Sequence, residues 1–397
     1  MVLAAVGLLL AIHGCKRPAA VDTVEVPPPF AFRSLDLEQR TKKGQPAWSL
    51  KSPEARYNLQ SSVARAMRPE GVIFAKGQPL YRLGATTGTV INDGAVILLE
   101  GSIRLQRLGR DPLMILAERA LWIPGEEVMR FDVAPMVRNP LNQLSSQSAT
   151  LHLDRDLLEL RGQPRLVRWS QPRPLNGPSS PGRVELVGTL TAVDWHPGTG
   201  DLKGQGPVTL RRRPPRGDPK APLQLLKASR LEGNTLQQRY TLQGPVQVED
   251  PAERGWFRGG ALTIDAKERW LTSAPPFEAQ RGALRLRGEE LRLDGQRTTA
   301  SVARHCQLQQ QDSGLQSQRC QWNWTTQAVE AEGDVVFSRP ASGQLTRAQR
   351  IQGRLGPQGQ VVASTPGGRV VTRVRVPGRV GPPSPPRVPA KPAPIAF

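Results

Sequence analysis

The amino-acid sequence predicts an all-β protein, an elongated β-jellyroll or folded-over antiparallel sheet built from tandem strand-pair repeats of about 30 residues. Three observations predict this fold. Glycine and proline are frequent, with 38 of each, while aromatic residues make up only 5% of the chain, a balance typical of short strands joined by turns. Apolar and polar residues alternate in runs such as 97–105, as in a strand with one buried face. Similar segments also recur at a fixed spacing.

The spacing is clearest in the second half of the chain. Segments around Gly259, Gly288, Ser317 and Thr346 share a polar start followed by alternating apolar positions, and each lies 29 residues after the previous one (288 − 259, 317 − 288, 346 − 317). More diverged copies occur at 116–122, 146–151 and 187–195. A repeated unit of this length predicts a stacked array.

Each unit is expected to supply two antiparallel strands, the second beginning near a glycine such as Gly101 or Gly333. A strand pair cannot bury its apolar face alone, so neighbouring units must stack with their apolar residues inside. We therefore divide the chain into a signal peptide or lipoprotein anchor at 1–15, a linker at 16–31, a first β-jellyroll at 32–169, a loop at 170–183, further β repeats at 184–372 and a disordered Pro- and Arg-rich tail at 373–397.

The formal net charge of +20 favours anionic partners. The arginines are spread over alternating strand positions without a recognisable nucleic-acid-binding motif, so we predict no nucleic-acid partner. Phosphorylated lipid and an anionic membrane face suit this charge equally well. A merely solvated basic surface is the alternative.

The amino terminus indicates export and membrane anchoring. Residues 2–12 are apolar, too few for the ~20 residues of a membrane-spanning helix but within the length of a signal-peptide core. The following Gly14-Cys15 resembles a bacterial lipobox, which predicts lipidation of Cys15. His13 and the missing basic residue before the apolar run depart from that pattern, so a truncated membrane helix with a free thiol is the alternative.

The two remaining cysteines, Cys306 and Cys320, each lie seven residues from Ser313 (313 − 306, 320 − 313). A hairpin closing at the turn-like segment 311–314 would place them opposite each other. This predicts a disulfide in an oxidising compartment, with two buried thiols as the alternative.

The sequence offers no catalytic constellation, and we predict neither an enzyme nor a cofactor. Its four histidines, His13, His152, His196 and His305, lack the spacing to other histidines, cysteines or carboxylates that a metal site requires. What remains is the apolar pattern itself. An alternating face can fill a core or line a groove for acyl chains, and taken alone the sequence favours a core.

A series of short motifs occupies residues 32–138. It begins with Gly44 and the strand centred on Trp48, followed by Tyr57. It continues through 69–81 and 83–88 to the segment 99–103. In their order and spacing these motifs resemble the LptC family of periplasmic lipopolysaccharide-export proteins and its LptA/OstA-like relatives.

The resemblance implies that a periplasmic β-jellyroll, anchored to the inner membrane, accepts lipopolysaccharide from an inner-membrane ABC transporter. The acyl chains would pass along its groove toward the outer membrane, and an LptA-like protein would join by edge-strand pairing. The residues implied as groove-lining are Phe74, Tyr81, Leu83, Ile97, Leu99, Ile103, Leu105 and Trp122. The chain is longer than typical members, and its later repeats resemble the LptA/OstA unit. A structural or adhesive cell-envelope β-solenoid without lipid cargo is the alternative.

Overall fold

The computed structural model describes residues 30–176, 182–213, 222–355 and 359–375. Within these ranges every regular element is a β-strand, apart from three short 3₁₀ turns at Asn92–Gly94, Pro124–Glu126 and Pro340–Ser342. All strand pairs are antiparallel and join into one continuous sheet. The predicted all-β, jellyroll-like fold is therefore confirmed.

The sheet is folded into two facing layers, and ten long strands pass from one layer into the other. These long strands are β9 (Val96–Arg107), β10 (Leu113–Ile123), β19 (Asp201–Arg212), β20 (Gln224–Asn234), β21 (Arg239–Asp250), β22 (Gly255–Asp265), β25 (Leu284–Asp294), β26 (Thr299–Gln310), β29 (Ala328–Arg339) and β30 (Gln344–Arg354). Each one pairs through one half with layer 1 and through the other half with layer 2.

The remaining strands belong to a single layer. Layer 1 adds β1 (Phe30–Phe32), β4 (Glu54–Asn58), β5 (Val63–Met67), β8 (Thr87–Ile91), β11 (Val128–Val133), β14 (Ser148–His152), β15 (Leu157–Arg161), β18 (Ala192–Trp195), β23 (Trp270–Ser273), β28 (Arg319–Asn323) and β31 (Val361–Ser364). Layer 2 adds β2 (Leu35–Arg40), β3 (Pro46–Ser52), β6 (Glu70–Ala75), β7 (Gln78–Gly84), β12 (Met136–Arg138), β13 (Asn142–Ser145), β16 (Arg165–Trp169), β17 (Val184–Thr189), β24 (Phe277–Arg281), β27 (Ser313–Ser317) and β32 (Val371–Arg373).

The bend between the layers lies in the middle of each long strand, which corrects the prediction that glycines open the second strand of each unit. Gly101 lies inside β9 and Gly333 inside β29, with φ of +75° and +79°. The pairing register shifts at these points. A backbone with positive φ suits glycine, and a bulge there bends the strand.

The 29-residue step is visible in the strands themselves. β22 begins at 255, β25 at 284 and β27 at 313, so the step is 29 twice (284 − 255, 313 − 284). The next corresponding strand, β30, begins at 344, because the 3₁₀ turn Pro340–Ser342 lengthens the preceding connection. The repeat in the sequence thus corresponds to the spacing of successive strands in the folded sheet.

The core is a single hydrophobic cluster between the layers, extending from Trp48 to Leu355. It continues past residues 170–183, where β16 pairs with β17. The proposed division between a first jellyroll and later repeats therefore falls within one continuous sheet, and it stays a prediction.

The ends of the array leave edge strands. Among the described residues, β1 and β2 each pair on one side, as do β31 and β32 at the other end. The described strands include residues of the predicted linker, in β1, and the first residue of the predicted tail, in β32. Cys15 and the lipobox-like segment lie outside the described residues. Among the residues described, no helix is long and apolar enough to cross a membrane.

Candidate functional site

Seven of the eight predicted groove residues lie in the core between the layers. Each has an exposed fraction of 1% or less, from Tyr81 in β7 to Trp122 in β10. Phe74 is the exception. Its neighbour Ile73 takes the inward position and is 4% exposed, whereas Phe74 is only half-buried and outside the core cluster. Alternation along β6, with a register shift between these two residues, explains the difference.

Strand β9 explains how one apolar pattern serves both layers. Ile97 and Leu99 lie in the layer 1 half, and Ile103 and Leu105 lie in the layer 2 half. All four are buried. The bend at Gly101 directs the same face of the strand inward on both sides, so the interior is lined from two opposing surfaces.

In the part of the chain that the structure describes, the backbone joins the two layers along one side only. The mid-strand bends form that side, and the hairpin turns of layer 1 and layer 2 form two separate rows on the other. We call the line between the two rows of turns the seam. Trp48 in layer 2 packs across it against Trp122 in layer 1, with 5.4 Å between ring centroids. Trp48 also contacts Gly94, in the β8–β9 turn of layer 1.

Tryptophan is concentrated along the seam. All eight tryptophans of the chain occupy the turn-side end of a strand or a turn itself. They are Trp48, Trp122, Trp169, Trp195, Trp256, Trp270, Trp322 and Trp324. The indole N–H groups of Trp122, Trp195 and Trp322 are buried and have no hydrogen-bond partner within the described ranges. Tryptophan suits a boundary where one side is apolar and the other is wet.

A polar contact between the two layers crosses the seam at the end of β9. Arg107, at the layer 2 end of β9, forms an ion pair with Asp156 in the β14–β15 turn of layer 1, with 3.8 Å between Nη2 and Oδ2. The same Oδ2 accepts the N–H of Gly198 at 2.6 Å. Tyr81 lies opposite Arg107 in the sheet, and burial, followed by the charge of Asp156, raises the pKa of its hydroxyl. The Tyr81 hydroxyl, Arg107 Nε and Asp156 Oδ1 are buried without hydrogen-bond partners in the described part of the chain.

Further polar contacts close the seam toward the C-terminal end. The guanidinium of Arg281 in layer 2 lies 5.6 Å from the ring of Trp324 in a layer 1 turn. Gln310 Nε2 donates to Gln327 Oε1 at 3.3 Å, and Arg339 donates to the carbonyl of Gly359. The interior contacts are apolar, whereas the contacts along the seam are polar or aromatic.

A cavity of about 300 Å³ interrupts the seam between these two groups of contacts. Layer 2 lines it with the β9–β10 turn, the β12–β13 turn and Arg168. Layer 1 lines it with Trp195, Pro197 and the β20–β21 turn around Leu236. Both rows of turns therefore contribute to one cavity. Patterning within single strands could not predict it, because its residues come from five separate connections and strand ends.

The structure joins Cys306 and Cys320 by a disulfide, with 5.9 Å between their Cα atoms. The predicted hairpin geometry is wrong in detail. Cys306 lies opposite Ser317 in β27, and Cys320 lies opposite Val302 in β26. The two cysteines are therefore not direct cross-strand partners, because the hairpin closes at residues 311–312, where Gln310 pairs with Ser313, and not symmetrically about Ser313. In the ranges described, no group of three or more His, Cys, Asp or Glu side chains could hold a metal ion.

One family model matches part of the chain. Residues 1–167 match the family model described as lipopolysaccharide-assembly, LptC-related, and the later repeats lie outside the match. No curated protein matches the chain. One similar solved structure is LptH from Pseudomonas aeruginosa, described as the LptA-homologous periplasmic component of the conserved lipopolysaccharide transport device. It is 13% identical, with 41% of this chain and 82% of that chain covered, and its TM-score of 0.19 does not by itself establish a shared fold.

Proposed function

We propose, from the premise that the first 167 residues are an LptC-related region, that this protein is a periplasmic component of lipopolysaccharide transport. It accepts lipopolysaccharide from an inner-membrane ABC transporter and passes it between its two layers toward the outer membrane. One observation carries the proposal. A single apolar interior extends through the array from Trp48 to Leu355, and on one of its two sides the described residues close it through side-chain contacts along the seam.

The interior suits acyl chains because transfer from water to an apolar surface contributes about 25 cal/mol per Å². The lining residues touch one another across the layers, so the chains would enter by parting those contacts. The polar head group would stay at the seam, where Arg107 and other arginines lie close to the apolar interior. No catalytic residue is needed, since the transporter would supply the energy.

The same buried contacts favour a second candidate, a structural β-solenoid without lipid cargo. Leu99 and Leu105 have exposed fractions of 0%, as expected in a sealed core. The two functions differ in whether a lipid ever reaches these side chains.

Photo-crosslinking in cells distinguishes them. A photoreactive residue at Leu99 or Ile103 should form a lipopolysaccharide adduct if the interior carries lipid, and so should one at Tyr81 or Trp122. The matched control is Arg104, the exposed neighbour of Ile103 on the same strand. Absence of adducts at all four interior positions, or equal adducts at Arg104, would exclude the transport function and leave the structural one.

The ends of the array support end-to-end assembly with an LptA-like protein. Edge strands β1 and β31 carry exposed apolar side chains, with Phe30 55% and Val362 73% exposed. An unpaired edge can add a strand from a partner through main-chain hydrogen bonds. Photoreactive residues at Phe30 and Val362 would identify which end receives the partner. Membrane anchoring through Cys15 or through the apolar segment 2–12 belongs to the same proposal, and intact-mass analysis of the membrane fraction tests it.

A further inference from the structure

We propose that the seam cavity binds the phosphorylated sugar head group of the amphiphile whose acyl chains lie between the layers. The inference rests on the proposed function and adds to it a binding site at a defined point of the seam. The cavity is lined by residues that include Arg110, Leu113, Asn142, Arg168, Trp195 and Leu236.

The cavity is continuous with the apolar interior. Leu113 and Trp195 line the cavity and also belong to the core cluster, with exposed fractions of 2% and 6%. Leu236, on the outer rim, is 46% exposed. A molecule in the cavity therefore contacts the interior on one side and solvent on the other, which fits the junction between the acyl chains and the head group of an amphiphile.

The charged groups of the cavity suit a phosphate. Arg110 has no ion-pair or side-chain hydrogen-bond partner within the residues described, whereas Arg168 already pairs with Glu185 at 3.6 Å. An arginine can bind phosphate through two parallel hydrogen bonds. Arg107, the last residue of β9, precedes the same connection, but its charge is balanced by Asp156, so Arg110 is the arginine of the lining that is available to a phosphate.

The remaining lining suits a sugar. Trp195 offers a flat ring and a buried indole N–H without a hydrogen-bond partner among the described residues. Burying such a donor is unfavourable unless a ligand accepts its hydrogen bond. Asp111 also lines the cavity and can accept hydrogen bonds from hydroxyl groups, whereas the side-chain amide of Asn142 is already bonded to Asn139 and Arg168. A volume of about 300 Å³ is at the lower end of ligand pockets, so it fits one phosphorylated sugar unit and not a whole glycolipid.

The test uses the purified full chain with photoreactive residues at Leu236 on the rim and at Leu99 in the interior. The probes are bis-phosphorylated lipid A, the same lipid A after enzymatic dephosphorylation, and glucosamine 1-phosphate as the head group alone. Bis-phosphorylated lipid A should crosslink at both positions, and the dephosphorylated form should crosslink mainly at Leu99. Glucosamine 1-phosphate should compete at Leu236 but not at Leu99.

Two variants identify the binding groups. Arg110→Gln should lower the yield at Leu236 with bis-phosphorylated lipid A about tenfold, since a hydrogen bond to a charged group is lost, and should leave the yield at Leu99 unchanged. Trp195→Phe keeps the aromatic ring and should lower the Leu236 yield less. Arg269→Gln, an exposed arginine in another layer 1 turn, is the control and should have no effect.

The outcomes separate the two proposals. Adducts at Leu99 with none at Leu236, or Leu236 adducts that respond neither to phosphate nor to Arg110→Gln, would overturn the head-group site and leave the transport function standing. Absence of adducts at both positions would overturn the transport function and the site with it.

Discussion

Arg107 and Asp156 form an ion pair between the two layers, although they belong to turn-side connections that are not hydrogen-bonded neighbours in the sheet. Arg107 ends the layer 2 half of β9, and its side chain is 15% exposed. Asp156 lies in a layer 1 turn and is also held by the N–H of Gly198. The pair therefore holds the two layers together at a point of the seam where the described residues form no backbone hydrogen bond between the layers.

We expect the variants Arg107→Met and Asp156→Asn to be coupled in stability. In a double-mutant cycle the coupling should be about 1 kcal/mol, because the pair is partly shielded from solvent. Asp156→Asn should be the more harmful single change, since it leaves the mostly buried guanidinium of Arg107 without its carboxylate. Urea unfolding followed by circular dichroism measures all four proteins.

The control cycle uses Lys51 and Asp36, an exposed pair 2.8 Å apart with side chains 69% and 57% exposed. Its coupling should be smaller, because exposed ion pairs contribute little. If the coupling free energy between Arg107 and Asp156 is no larger than that of the control pair, this ion pair does not hold the two layers together.

Gly101→Ala should destabilise the protein by about 1–3 kcal/mol, because Gly101 provides the bend of β9 with a positive φ. An added Cβ would also lie 2.8 Å from Oγ1 of Thr86. Gly84→Ala is the matched control. Gly84 lies in strand β7, where an added Cβ meets no atom within 4 Å. Thermal unfolding of the two variants measures the difference, and equal losses would show that the bend does not require glycine.

Removing the disulfide with the double variant Cys306→Ala/Cys320→Ala should cost about 3 kcal/mol, the value expected for closing a loop of this length. Reduction of the wild-type protein should lower its urea midpoint to nearly the same value. A midpoint that is unchanged by reduction would mean that the bond contributes nothing to the folded state.

The residues of the interior could be predicted from the sequence because side chains alternate between the two faces of a strand, whichever strand it pairs with. Ile97, Leu99, Ile103 and Leu105 thus share one face in the sequence and in the structure. Alternation alone leaves two possible inward faces in β6, one with Val72 and Phe74 and the other with Gly71 and Ile73. The structure buries Gly71 and Ile73 and leaves Phe74 half-buried, and this choice depends on the strands that β6 packs with.

The bends and the seam were harder to predict. A glycine with positive φ can begin a strand or bend one, so Gly101 and Gly333 alone could not distinguish a turn from a folded strand. The seam depends on which strand ends meet, and that information is in the pairing of distant segments. The repeated placement of tryptophan next to predicted turns, as at Trp122 and Trp322, was a sequence pattern that could have indicated it.

The stability of the folded protein at acidic pH depends on the ionisation of Asp265. Its carboxylate is 5% exposed and accepts hydrogen bonds from the N–H of Glu268 at 2.8 Å and from Arg239 at 3.1 Å. The N–H of Glu268 and then the guanidinium of Arg239 lower the pKa of Asp265 below its ordinary value of 3.8, against the opposing effect of burial. Because the folded-state pKa is below the unfolded one, the stabilisation is complete above the unfolded value and is lost as the pH falls through the folded value.

We therefore expect Asp265→Asn to unfold at lower urea concentration than the wild type, by a constant margin between about pH 5 and pH 7. The margin should shrink as the pH falls below about 4, where Asp265 becomes protonated first in the unfolded state, and should be lost below the lowered pKa of the folded-state carboxylate. Arg239→Gln leaves the stronger Glu268 contact in place, so it should destabilise less than Asp265→Asn and keep much of the acid dependence. A margin for Asp265→Asn that stays constant down to pH 2 would contradict this assignment, because the lost interaction would then not depend on the charge of Asp265.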